Sequence, residues 1–288
     1  MMLDQYAVIG NPISHSQSPR IHAIFAQQTS QSMEYSAILA PLDRFKITVM
    51  QFIRQSGRGM NVTVPFKLEA YQIATRLTER ASLAQAVNTL KFENNEILGD
   101  NTDGIGLIHD ITRNLTVDLA AKCILLIGAG GASRGVIMPL LQQKPSRLVI
   151  ANRTFEKAKT LQQQFKCYGN ITACNFDNLS NQVFDIVINA TSASLQNTFP
   201  DIPPCVFAED SLAYDMMYHA EPTAFLRFAQ QCGVSRLADG IGMLVEQAAE
   251  SFYVWRNVHP ETQPVIAILK SQTYMSRSTH PNQTSNSK

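Results

Sequence analysis

Two residues of opposite charge stand just past segments that read as strand ends. Lys67 closes Asn61-Val62-Thr63-Val64-Pro65-Phe66-Lys67, and Asp103 lies in Asn101-Thr102-Asp103-Gly104. A lone lysine is ordinarily surface decoration. Here both groups fall at the carboxyl edges of strands in one unit, where α/β proteins open their ligand clefts. An ammonium and a carboxylate opposed in such a place can shuttle a proton while a hydride moves. Thr63, Asn88, Thr89, Asn101 and Thr102 add polar groups at edges of the same kind. Upstream, Ser14-His15-Ser16-Gln17-Ser18-Pro19 makes Ser18 the expected N-cap of a helix with proline at its first position. The positive end of that helix suits a carboxylate, to which the Ser16 and Ser18 hydroxyls can both donate. Capping alone accounts for Ser18 and leaves Ser16 without a task.

A second constellation is Gly128-Ala129-Gly130-Gly131-Ala132-Ser133, set between a strand pattern and a helix pattern. There glycines permit a tight turn and close approach of backbone to a pyrophosphate, and the helix start supplies free N–H groups. Ser133 at the third glycine position loosens the motif, and a bare glycine turn before a helix is the plain alternative. The end of the next strand adds the discriminating residues. A site for NAD carries an acid there, for the ribose 2′-hydroxyl. This chain has Asn152-Arg153-Thr154, with Lys157 further on and no acid before Glu156. A forked guanidinium fits a 2′-phosphate. Cations at a helix start oppose the helix dipole, so Arg153 and Lys157 call for an anion. The expected cofactor is NADP rather than NAD.

The scaffold that must hold these residues is α/β. Tyr6–Ile9, Tyr35–Leu39 and Met60–Val64 predict strands; residues 19–29, 43–55 and 66–75 predict helices. Residues 86–92 and 96–100 predict a hairpin turning on Asn94-Asn95. From Gly104 a second unit follows, with strands at Lys122–Ile127, Arg147–Ala151, Val183–Asn189 and Leu212–Met216. Between them run a helix from the glycine turn to about Gln143, interrupted by Pro139, and a helix over Phe155–Phe165. Such alternation argues for a parallel sheet. After Asp239-Gly240, Ile241, Leu244, Val245, Ala248, Phe252 and Trp255 form one helical stripe, with Gln247 on its flank and Glu246 and Glu250 opposite. That helix is expected to pack back on the first unit. The polar run from Ser271 is expected to be disordered. The implied division is 1–103 for a substrate domain, 104–239 for a Rossmann-like nucleotide domain, 240–270 for returning helices and 271–288 for the tail.

The bulk properties agree. The chain has 288 residues, enough for two modest domains, with 45% hydrophobic and 16% charged residues. A formal net charge of +1 implies no global attraction to nucleic acid or to a membrane. Five cysteines without a CxxC pair predict neither a disulfide framework nor a zinc site, and no metal is expected. They read as scattered core thiols in a reducing cytoplasm. The chain has neither a signal-peptide pattern nor an apolar stretch of membrane-spanning length, so a cytoplasmic protein is expected, monomeric or homodimeric.

The motifs also recur as a set. GNPISHSQSP at 10–19, NVTVPFK at 61–67, AVNTL at 86–90, GDNTDG at 99–104 and GAGGASRG at 128–135 resemble, in this order, the shikimate dehydrogenase family. So do NRT at 152–154, NATS at 189–192, YDMMY at 214–218 and DGIGMLVEQA at 239–248. The resemblance implies reversible reduction of 3-dehydroshikimate to shikimate with NADPH, a step of aromatic amino-acid biosynthesis through chorismate. It implies Lys67 as the catalytic acid and base, with Asp103 as its partner. Ser16 and Ser18 would hold the substrate carboxylate, and Thr63, Asn88, Tyr218 and Gln247 would complete the substrate shell. The cofactor would lie on Gly128, Ala129, Gly130, Gly131 and Ala132 and on Asn152, Arg153, Thr154, Phe155, Glu156 and Lys157. Glu79, Met216 and Gly240 would stand close to it. Two other readings stay open: a quinate/shikimate dehydrogenase using NAD, which the Asn152-Arg153-Thr154 loop opposes, and a non-catalytic ligand sensor, which would need neither Lys67 nor Asp103.

Overall fold

The computed structural model describes residues 3–278. The first unit runs β1 (Asp4–Gly10), α1 (Ser18–Gln28), β2 (Met33–Leu39), α2 (Phe45–Arg54), β3 (Gly57–Val62) and α3 (Lys67–Ile73). It continues with β4 (Arg76–Leu77), α4 (Glu79–Ala84) and the hairpin β5 (Thr89–Glu93) and β6 (Glu96–Asp100). Its sheet has the order β2-β1-β3-β5-β6-β4. β1 is parallel to β2 and β3, whereas β5 is antiparallel to both its neighbours. Asn94 and Asn95 take φ of 51° and 62°, the left-handed pair that a two-residue hairpin turn of the primed kind requires.

α5 (Asp103–His109) and a π turn at Asp110–Asn114 lead to β7 (Cys123–Ile127), α6 (Gly131–Gln142), β8 (Arg147–Ala151), α7 (Phe155–Phe165) and β9 (Ile171–Cys174). β10 (Phe184–Asn189), β11 (Phe207–Asp215), α8 (Ala224–Gln231) and β12 (Arg236–Ala238) complete the second unit. Its sheet is wholly parallel, in the order β12-β11-β10-β7-β8-β9. The strand order reverses between β7 and β10. Connections leave these two strands in opposite directions, so a crevice opens at their carboxyl ends. α9 (Ile241–Arg256) and α10 (Gln263–Ser278) then return to the first unit. Ile21 and Phe25 of α1 pack with Val245, Ala248 and Phe252 of α9 and Val265 of α10 in one buried cluster.

α5 belongs to both units. A Cβ on Gly104 would lie 2.3 Å from Pro139 Cγ and 2.5 Å from Gly135 O, both on α6. A Cβ on Gly106 would lie 2.7 Å from Gln247 Cβ on α9. Bare backbone therefore lets α5 lie close to a helix of each unit.

Several expectations need correction. Pro139 does not interrupt α6, which runs unbroken to Gln142. The carbonyl that a proline deprives of its helical donor is the one four residues back, Gly135 O. Ser18 is the first residue of α1 rather than its cap; Gln17 holds the cap position and makes no side-chain cap bond. Glu246 and Glu250 are not on a solvent face. Glu246 is 5% exposed and accepts from Thr262 Oγ1 (2.7 Å) and Asn114 Nδ2 (3.1 Å), and Glu250 accepts from Arg80. α9 packs against α1, α5 and α10 at once, so the side opposite its apolar stripe is covered too. The polar run from Ser271 is helical through Ser278, and residues 279–288 lie outside the described ones. All five cysteines are free, but only Cys174 is buried.

His22 on α1 is fully buried, its ring stacked on Tyr35 with centroids 4.2 Å apart. Burial lowers its pKa from 6.5 to about 3. Between those values the unfolded chain holds a proton that the folded chain does not. The stability contributed is thus complete above about pH 6.5 and lost as pH falls toward 3. Urea titrations should show the parent losing stability relative to His22→Phe on acidification, by at most about 1.4 kcal/mol per pH unit. A difference that stays constant with pH would mean that the imidazole titrates freely in the fold.

Candidate active site

β1 and β3 end side by side, and the turns that follow them are stitched together where the Asn11 N–H donates to Val64 O at 3.0 Å. Lys67 opens α3 directly after the second of these turns. Its Nζ donates to Asp103 Oδ2 at 2.5 Å, and the two side chains are 19% and 8% exposed. The other carboxylate oxygen of Asp103 accepts from Asn88 Nδ2 at 2.8 Å. Asn88 is fixed in turn, its Oδ1 accepting from the Thr102 N–H and from Thr89 Oγ1, each at 2.9 Å. Gln247 Oε1 reaches the same Asn88 amide at 3.2 Å, and its Nε2 donates to Leu244 O. Asp103 is thus pinned on one oxygen by a neutral donor and on the other by a cation, a charge-assisted arrangement that sets the direction of the lysine head.

A brace that sequence reasoning missed lies behind this group. Arg80 on α4 donates through Nε and Nη2 to the two carboxylate oxygens of Asp100, each at 2.6 Å, and Nη2 also reaches Glu250 of α9 at 2.9 Å. Asp100 Oδ1 also accepts from the Asn101 N–H at 2.7 Å. The ion pair therefore anchors the strand end that carries Asp103. Arg80 stands beside Glu79 in a short helix whose periodicity is too brief to read, so only the three-dimensional contact reveals it.

The other expected substrate residues make no bond to this group. Ser16 and Ser18 sit at the start of α1, where Ser16 Oγ accepts from the Ser18 N–H at 3.3 Å. Thr63 lies between β3 and Lys67, its N–H donating to Ile9 O. Tyr218 follows β11 of the second sheet, yet packs against the cluster formed by α1, α9 and α10. Burial raises its pKa, the nearby Asp239 carboxylate adding to the effect.

At the crevice of the second sheet, Gly128 has φ +111°, a conformation that only glycine adopts without strain. Gly130 and Gly131 are different: nothing lies within 4 Å of where their Cβ atoms would be. The protein's own packing does not require glycine there, whereas a ligand approaching the backbone would. Gly130 caps α6 with no side-chain bond, so the first-turn N–H groups remain open. The buried Ser133 Oγ in the same turn has no partner among the described residues. After β8, Asn152 Nδ2 donates to Thr154 O at 2.9 Å and closes the loop. Arg153, Thr154, Phe155, Glu156 and Lys157 are all exposed, and neither cation makes a hydrogen bond or ion pair among the described residues. Two free cations at a helix start, beside an open glycine cradle with Ala129 and Ala132, fit a dinucleotide bearing an extra phosphate.

Met216 and Gly240 meet in space, since a Cβ on Gly240 would lie 2.2 Å from Met216 O. The Met216 N–H donates to Asn189 O at the end of β10. Glu79 is exposed in the first turn of α4, a helix that packs on α6. Asp215 is a further residue the sequence did not single out. It is fully buried and accepts from Ser194 Oγ (2.7 Å), Thr223 Oγ1 (2.6 Å) and the Met217 N–H (3.0 Å), tying the loop after β10 to the end of β11. Burial raises its pKa despite these bonds. Among the described residues, no cluster of His, Cys, Asp and Glu could hold a metal, and no helix is long and apolar enough to cross a membrane.

Family models cover most of the chain in sequence order. They are the shikimate dehydrogenase substrate binding domain over residues 8–90, shikimate/quinate 5-dehydrogenase over 110–197, and the shikimate 5′-dehydrogenase C-terminal domain over 240–270. A shikimate dehydrogenase (NADP(+)) of Herminiimonas arsenicoxydans is 60% identical, covering 94% of this chain and 98% of its own. Its counterpart in Janthinobacterium sp. (strain Marseille) is 61% identical over 93% and 98%. The crystal structure of shikimate 5-dehydrogenase from Thermus thermophilus, in complex with NADP(H) and shikimate, has a TM-score of 0.83 at 28% identity, covering 94% of this chain and 99% of that one. Motifs, sheet orders and near-complete coverage by such relatives agree, and the chain belongs to the shikimate dehydrogenase family.

Proposed function

We infer that this protein catalyses the reversible, NADPH-dependent reduction of 3-dehydroshikimate to shikimate, a step of aromatic amino-acid biosynthesis. The observation that carries the reading is the 2.5 Å pairing of Lys67 with Asp103, backed by Asn88 and placed at a strand edge. When bound, the cofactor supplies the hydride. Lys67 Nζ gives a proton to the carbonyl oxygen as negative charge develops there, and takes it back in the oxidative direction. Asp103 keeps the ammonium aimed through one oxygen while Asn88 keeps the carboxylate from turning. Ser16 and Ser18 hold the substrate carboxylate at the start of α1, and Thr63, Tyr218 and Gln247 frame the ring. Gly128 to Ala132 would receive the cofactor's pyrophosphate, and Arg153, Thr154 and Lys157 its 2′-phosphate, with Asn152, Phe155 and Glu156 around it. Met216, Gly240 and Glu79 on α4 would stand close to the bound cofactor. The working unit is taken as a monomer or homodimer, and five free cysteines accord with a cytoplasmic setting.

Steady-state oxidation of shikimate with NADP+ tests this reading, with NAD+ and quinate as the comparison substrates. Turnover with shikimate and NADP+ is expected, and its absence would overturn the assignment. Equal efficiency with NAD+ would transfer the protein to the NAD-using class. Gln247→Ala supplies a finer check. Its amide already serves Asn88 and Thr102, so its loss should cost about 0.5–1.5 kcal/mol of stability as well as raise the Michaelis constant for shikimate. A stability loss with unchanged shikimate kinetics would assign Gln247 to the scaffold alone.

A further inference from the structure

Tyr35 lies on β2, outside every motif, yet its hydroxyl joins the two ends of the site. It donates to Asn61 Oδ1 at 2.7 Å, and the Ser18 side chain hydrogen-bonds the same phenol. Asn61 is buried and passes the connection on, its Nδ2 donating to Ser251 Oγ at 2.9 Å. Ser251 is fully buried on α9, one turn beyond Gln247, and exchanges hydrogen bonds with Thr89 (2.8 Å) and Thr102 (3.2 Å). Thr89 then donates to Asn88, and Asn88 to Asp103. An unbroken chain of hydrogen bonds, buried except at the half-buried Tyr35, thus runs from Ser18 to the Lys67–Asp103 pair, through residues of β2, β3, β5 and α9. His22, stacked on the Tyr35 ring at an interplanar angle of 9°, fixes the plane of the phenol.

A serine hydroxyl has one proton and three staggered positions, so its aim toward an anion depends on what else holds it. With the Tyr35 proton committed to Asn61, the phenol oxygen accepts from Ser18. A phenol can also turn its own proton to Ser18, leaving the serine proton for a carboxylate. In both arrangements the oxygen of Ser18 stays in one place.

We propose that Tyr35 is a positioning residue for the substrate carboxylate, holding Ser18 in register with the Lys67–Asp103 pair through this chain. The proposal rests on the reading of Ser18 as a carboxylate ligand, and a double-mutant cycle separates the two. Tyr35→Phe should raise the Michaelis constant for shikimate by about five- to tenfold, the loss of roughly one hydrogen bond. Its turnover and its Michaelis constant for NADP+ should stay within about twofold of the parent. Tyr35→Phe introduced on top of Ser18→Ala should change the shikimate constant by less than about twofold, because the residue it positions is gone. The methyl ester of shikimate, which lacks the carboxylate charge, should be handled alike by the parent and Tyr35→Phe. If Ser18→Ala alone raises the constant but Tyr35→Phe adds its full effect on top, the positioning role is overturned and Tyr35 only supports the fold. If Ser18→Ala leaves the constant unchanged, the carboxylate role of Ser18 falls and the proposal with it.

Discussion

Lys67→Ala should lower turnover in both directions by roughly 10²–10⁴-fold, the range a positioned acid–base group contributes. The Michaelis constant for shikimate should move far less. On the proposed reading the lysine acts on the proton in flight, while Ser16, Ser18, Thr63 and Gln247 would hold the ring and carboxylate. Stability should fall modestly, since Asp103, only 8% exposed, loses its cation but keeps the Asn88 donor. Stopped-flow reduction of 3-dehydroshikimate, monitored at the nicotinamide absorbance under saturating substrate, measures the chemical step directly. A thermal melt of the same sample shows that the loss is not unfolding. Turnover within about threefold of the parent, in a folded variant, would remove Lys67 from the acid–base role.

Arg153→Ala should weaken NADP+ by about 10- to 150-fold, the equivalent of roughly 1.5–3 kcal/mol for a hydrogen bond to a charged group. Binding of NAD+ should remain within about twofold, because it lacks the phosphate that the guanidinium would meet. Arg153 is exposed and makes no bond within the described chain, so the melting temperature should not change. Titration calorimetry with each cofactor separates the outcomes. Equal weakening of both would mean that Arg153 shapes the loop rather than reading the 2′-phosphate. Lys157→Ala serves as the companion measurement. It too is exposed and without a partner among the described residues, but its ammonium is a point charge rather than a fork, so its contribution should be the smaller one.

Much of the chemistry is legible in the sequence alone, for identifiable reasons. Glycine turns, prolines after strands and a cationic loop in place of an acid are local features, set by backbone sterics and charge within a few residues. They locate the glycine cradle, the Asn152-Arg153-Thr154 loop and Lys67 in the chain. The four inner strands of the second sheet are readable because a strand buried on both faces is a continuous apolar run, and Arg147–Ala151 lies just where that pattern puts it. The hairpin is readable because two adjacent asparagines tolerate positive φ. β4, β12 and α4, of two, three and six residues, escape because they are too short for a periodic signal.

What only the tertiary structure decided is the set of partners. Sequence spacing places Lys67 and Asp103 at strand edges, but their 2.5 Å contact exists because β3 and β6 both flank β5 and because Asn88 bonds Asp103. The periodicity of α9 predicts one buried stripe. The fold buries the opposite flank as well and turns Glu246 and Glu250 into ligands of Thr262, Asn114 and Arg80. A helical pattern reports which side is apolar, not how many neighbours surround it. Arg80 and Tyr35 carry no motif at all, and Asp215 lies in one without any sign of what it bonds. Each acts through a hydrogen bond to a residue many positions away, 170 for Arg80 with Glu250 and 26 for Tyr35 with Asn61. Bonds of that kind form only after chain folding has removed the water that would otherwise satisfy the same groups, so no local rule of sequence encodes them.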